Sequence, residues 1–93
     1  MKIVFLKSAA RDIAWFRHYY RAVFPEGRQN AKVQMRKIQT LLAANPQLGK
    51  PSEHGTEERE FSVPRTPFSL VYRVMPDQIE VIRLWDERQG RHE

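Results

Sequence analysis

The chain contains no cysteine, so it can build neither a disulfide framework nor a thiolate metal site, and a reducing cytosol is the compartment that suits it. Its three histidines, His18, His54 and His92, are too widely spaced for a zinc site. No apolar run approaches the ~20 residues that cross a bilayer. The stretch MKIVFLKSAARD returns to charge after four apolar residues, well short of a signal-peptide core. Glycine is scarce, and Gly27, Gly49, Gly55 and Gly90 stand alone, each suited to a turn rather than to a cradle for phosphate. A bound nucleotide cofactor is therefore not expected. No signature turn surrounds Ser8, Ser52, Ser62 or Ser69, which argues against a hydrolase nucleophile. Acidic residues are also in deficit, 11 against 16 Lys and Arg, and the resulting +5 favours a polyanionic or acidic partner.

What is present fits one domain over residues 1–93, since a chain of this size supports a single economical core. Lys2 to Leu6 reads KIVFL and forms a first strand. Ser8 is a candidate N-cap, and Ala9, Ile13, Phe16, Tyr20 and Val23 follow at spacings of four, three, four and three, one apolar stripe of a helix running to about Phe24. Pro25, Glu26 and Gly27 break it. A second helix carries Ala31, Met35, Ile38 and Leu42 in register, widened by Val33 and Leu41, and ends near Asn45 and Pro46. The short connection makes the two an antiparallel hairpin. A loop from Asn45 to Gly55 follows, anchored by Leu48. Three strands then alternate: Arg59, Phe61 and Val63; Phe68, Leu70, Tyr72 and Val74; Ile79, Val81 and Arg83. The expectation is an α+β fold of order β-α-α-β-β-β, an antiparallel sheet with the helical hairpin packed on one face. The polar stretch from Trp85 to Glu93 reads as a frayed tail.

Few residues offer chemistry. His18 falls on the polar flank of the first helix and reads as a surface histidine, while His54 and His92 have no partner in sequence. Glu58 and Glu60 share a strand face, where charges discourage edge-to-edge aggregation as readily as they make an acid and base pair. The arginines say more, because a guanidinium is a rigid fork for phosphate or carboxylate. Arg59, Arg65, Arg73 and Arg83 belong to the sheet or its turns, either as a polyanion-reading set or as partners of Glu58, Glu60 or Glu80 across strands. With Trp85 and Arg88 they are the candidates for contacting a target or partner. Trp15 and Trp85 suit the rim of the core, and Tyr19 is expected to be half exposed beside the buried Tyr20.

The segments KIVFLKSAARDIAWFRHYY, LLAANPQLGKP, REFSVPRTPFSLVYRV and QIEVIRLWDERQGR, in this order and at these spacings, resemble the RelE/ParE superfamily of bacterial toxins from type II toxin-antitoxin modules. The resemblance covers nearly the whole chain and implies the fold order read above. RelE-like members cut mRNA on the ribosome with basic, histidine and tyrosine side chains on the sheet. At the matching places this chain has Glu60, Ser62 and Ser69, and after the last strand, where many relatives carry histidine, Trp85 and Asp86. A nuclease without cationic groups at the phosphate lacks its largest electrostatic contribution. The REFSVPRTPF and LVYRV segments are more similar to the ParE-like branch, which implies a cytoplasmic inhibitor of DNA gyrase, held by a cognate antitoxin, with no cofactor and no catalytic residues. The alternative is a ribosome-dependent endoribonuclease using Arg59, Arg65, Arg73 or Arg83 on phosphate, with His54 or His92 as acid.

Overall fold

The computed structural model describes residues 1–52 and 57–89; His54, Gly55, Gly90, Arg91 and His92 lie outside the described residues. The chain order is β1 (Lys2–Phe5), α1 (Ala10–His18), α2 (Arg28–Ala44), β2 (Lys50–Pro51), β3 (Glu58–Ser62), β4 (Phe68–Val74) and β5 (Gln78–Asp86). The fold is α+β, with both helices on one face of a five-stranded sheet of order β1-β5-β4-β3-β2. Among the described residues no helix is long and apolar enough to cross a membrane.

The sheet is mixed rather than wholly antiparallel. Strands β2 to β5 alternate in direction, but β1 lies parallel to β5, pairing Lys2 with Gln78 through Phe5 with Val81. The reason is what must follow β1. Four residues of β1 cover only the first half of the nine-residue β5, leaving one edge from Ile82 to Asp86 without a strand. Running parallel, β1 delivers the chain to that bare edge, and α1 begins there. The Ser8 hydroxyl donates to the Ile82 carbonyl at 2.7 Å, and the Asp12 carboxylate accepts from the Leu84 N–H at 2.9 Å, so side chains of the helical segment satisfy edge groups that a strand would otherwise pair. Ser8 therefore binds β5 instead of capping its own helix.

The first helix reaches Phe24, as its stripe predicts, but by a 3-10 turn at Lys7–Ala9, α1, and a π-helical turn at Tyr19–Val23. The π turn adds a residue to the period, and Val23 ends up exposed rather than on the core side. Tyr19 is buried, not half exposed, because Arg88 lies over its ring at 4.1 Å and Tyr20 and Phe68 meet it edge-on. In α2, Ala31, Ile38 and Leu42 are buried while Leu41 faces solvent. Under the helices lie Phe68, Leu70 and Tyr72 of β4 with Ile79, Val81 and Leu84 of β5. Each such buried side chain contributes roughly 1.5–3 kcal/mol.

The alternation expected along β5 breaks in the middle. Val71 pairs with Arg83 but Tyr72 with Val81, which leaves Ile82 without a partner in a bulge. The extra residue shifts the phase, so Leu84 faces the core and Arg83 the opposite face, the reverse of a uniform alternation. Trp85 and Asp86 complete β5, and Glu87–Gln89 form a 3-10 turn, so the stretch expected to fray is ordered structure as far as Gln89.

Two turn positions show how tightly the loops are held. The Tyr72 hydroxyl accepts from the Gly49 N–H and donates to the Pro46 carbonyl, both at 2.8 Å, pinning the loop after α2. A Cβ on Gly49 would sit 2.6 Å from the Glu60 carbonyl oxygen, so only glycine fits this approach. In the β3–β4 turn, Arg65 adopts φ 61°, a left-handed conformation unfavourable for a long side chain. Arg65→Asn is therefore expected to raise stability by up to about 1 kcal/mol in chemical denaturation.

Candidate functional site

The sheet face away from the helices collects polar groups in rows set by strand register. Ser62, Ser69 and Trp85 form one row, Glu60, Val71 and Arg83 the next, and Glu58, Arg73 and Glu80 the third. Arg73 Nε donates to Glu80 Oε1 at 2.7 Å, and this bond, assisted by Gln78, holds the Glu80 carboxyl below the usual carboxylate range. Arg83 grips Asp12 with Nε and Nη2 at 2.8 and 3.1 Å, which raises the guanidinium pKa, and it lies over the Trp85 ring at 3.9 Å. The two serine hydroxyls face each other at 3.4 Å, and Glu60 accepts from Ser52. They line a hollow of about 410 Å³ with Lys50, Phe61 and Glu87. One ammonium beside two carboxylates gives a phosphate no net attraction there.

The sequence-predicted arginines are thus divided. Arg73 and Arg83 share the open face with Trp85, each guanidinium already held by a carboxylate. Arg59 belongs to the Tyr72 row and donates to the Gly49 and Gln47 carbonyls at 2.7 and 3.4 Å, fastening the same loop. Arg65 is exposed at its turn, where its own carbonyl accepts from Asn30. Arg88 lies at the far end of β5, in the contact with α1.

That contact repeats along the helix. Ser8, Asp12, Trp15 and Tyr19, spaced four, three and four apart, meet Ile82, Arg83 with Leu84, Asp86 and Arg88 in turn. Asp86 is its centre, only 5% exposed. Trp15 Nε1 donates to one carboxylate oxygen at 2.8 Å, and Arg88 supplies its backbone N–H at 3.1 Å and its Nε and Nη2 at 3.0 and 2.8 Å. Burial pushes the Asp86 pKa up, but the bonds from Arg88 and Trp15 outweigh it and leave the carboxyl below its ordinary value. Asp86 is a structural clasp between helix and strand.

The second concave surface lies on the helical side, a groove of about 1060 Å³ between α1 and α2. Its floor is apolar, with Phe5, Ile13, Phe16, Met35 and Leu84, and its walls are cationic, Arg17 and Arg21 from one side and Arg28, Lys32 and Arg36 from the other. Among the described residues no carboxylate lines it. Residues 1–52 hold ten Lys and Arg against two acids, whereas residues 53–93 hold six against nine, so the whole positive excess belongs to the helical half. In the sequence, Arg17, Arg21, Lys32 and Arg36 simply fall off the apolar stripes of their helices. The available signal was their spacing, since like charges four apart on a helix repel and an isolated helix gains nothing from them.

A family model described as the ParE toxin of the type II toxin-antitoxin system parDE matches residues 3–90. A solved structure described as a chromosomal ParDE toxin-antitoxin system from P. aeruginosa is similar at 30% sequence identity and a TM-score of 0.67, covering 90% of this chain and 92% of the other. The search of curated proteins found no match.

Proposed function

Because the chain belongs to the ParE toxin family of type II toxin-antitoxin systems, we propose that it acts by binding, as an inhibitor of DNA gyrase neutralised by an acidic cognate antitoxin seated across the helical hairpin. The groove carries the antitoxin half of this reading. An apolar floor between two cationic walls suits an amphipathic segment with apolar residues on one side and carboxylates flanking them. The walls steer the encounter and the floor supplies affinity.

The open sheet face supports inhibition over RNA cleavage, since the hollow among its polar rows sets a single cation, Lys50, against the carboxylates of Glu60 and Glu87 and offers no cationic clamp for a scissile phosphate. Purified protein is expected to suppress gyrase supercoiling at near-equimolar ratio, with activity restored by the antitoxin. Failure to inhibit at any excess, or transcript cleavage at substoichiometric dose, overturns the reading.

The steering is separately measurable. Lys32→Glu with Arg36→Glu is expected to slow antitoxin association about tenfold at low salt in stopped-flow mixing, a difference that shrinks as salt rises.

A further inference from the structure

The groove has three features that a ligand of the free protein can use. Arg17, Arg21, Arg28, Lys32 and Arg36 make no side-chain hydrogen bond or ion pair with any described residue, in contrast to Arg59, Arg73, Arg83 and Arg88. Their charge is therefore fully available to a ligand, and without one they repel each other. They also form two facing rows. Arg28, Lys32 and Arg36 follow one another at four residues, about 6 Å of helix rise per step, a repeat that successive phosphates of an extended strand can match. Finally, the rows enclose an apolar floor with aromatic members Phe5 and Phe16, both partly buried, so that a ligand lying between the walls meets hydrocarbon and ring surface.

We infer that the groove of the free protein binds a short stretch of single-stranded nucleic acid, phosphates along the two cationic rows and base faces against the apolar floor. Single-strand binding surfaces combine these two elements, a cationic track for the backbone and an apolar or aromatic bed for the bases. A duplex satisfies only the first, because its bases are stacked inward and its width keeps them from the floor. Nothing in the lining selects a particular base or sugar, so binding is indifferent to sequence. This inference stands on the groove alone and is independent of the gyrase reading.

The test is fluorescence anisotropy of a labelled short oligo-dT with the purified full chain, titrated across salt, with a duplex of equal length beside it. Five engaged cations give a log–log salt slope of about −3.5, at roughly −0.7 per phosphate for a single strand. Replacing Arg28, Lys32 and Arg36 together by glutamine is expected to flatten the slope by about 2 and weaken binding at least tenfold at low salt. Lys37→Gln removes a charge from the same helix outside the groove and is expected to change affinity less than twofold. Denaturation curves confirm that each variant is folded. The inference fails if the triple variant binds like the parent, if Lys37→Gln loses as much per charge as the groove positions, or if the duplex binds at least as tightly as the single strand.

Discussion

Phe68→Ala is expected to remove about 3–5 kcal/mol of stability, out of a total of roughly 5–14 kcal/mol for a chain of this length. Phe68 opens β4 with 1% exposure and is where the first helix meets the sheet. Its ring packs edge-on against Phe16 at 4.9 Å and Tyr19 at 5.8 Å, and tilted against Tyr20 at 6.1 Å. Edge-to-face pairs add about 0.5–1.5 kcal/mol beyond the area they bury, so truncation here loses ring geometry as well as volume. Phe68→Leu keeps most of the volume and should lose only about 1–2 kcal/mol. Urea denaturation of the two variants, with unchanged m, separates the terms. A Leu variant as stable as the parent would show that the ring contacts contribute nothing. The effect extends to the groove, because Phe16 forms part of its floor and rests on Phe68.

Asp86→Ala is expected to cost about 2–3 kcal/mol, less than a fully buried ion pair, because Arg88 is 46% exposed and regains water when released. The Trp15 N–H, left inside a half-buried contact, cannot recover as fully. A carboxyl whose folded pKa is depressed contributes stability that is complete above its unfolded value near 3.9 and is lost as pH falls through the lower folded value. The parent should therefore weaken as pH drops below about 4. Asp86→Asn, which cannot titrate, should be less stable at neutral pH and show a shallower decline over the same range, read from urea midpoints. If its curve merely parallels the parent's, proton uptake at Asp86 is not part of acid unfolding. Coupling between Asp86→Ala and Trp15→Phe in a double-mutant cycle measures the tryptophan's share.

How much of this could be read from the chain depended on how far each cause lies along it. The apolar stripe Ala9, Ile13, Phe16 and Tyr20 is local, and so is the alternation Phe68, Leu70 and Tyr72; both were legible, and all of these but Ile13, which lines the groove, are buried or packed on the core. The phase of β5 was not, because the bulge at Ile82 is visible only against its partner strand, and a single extra residue turned Arg83 and Leu84 over. The direction of β1 was equally hidden, since it depends on the bare edge that α1 must cover. Trp15 read as core rim and Tyr19 as half exposed, and Asp12 gave no signal, until residues 69 to 72 positions along came beside them. The groove was missed for another reason: sequence shows which cations leave the apolar stripe, but not that those of two helices converge.

The pairing of β1 with β5 also imposes an order on synthesis. The apolar KIVFL segment and the inner side of α1 are made first, yet their partners lie between Gln78 and Arg88. At translation rates of about 5–20 residues per second the interval is roughly 4–15 s, during which the nascent chain holds an unclaimed strand and cannot close its sheet. A chain released before Gln78 would hold the helical hairpin and the β3–β4 pair without the strand that joins them to β1, a species for proteases.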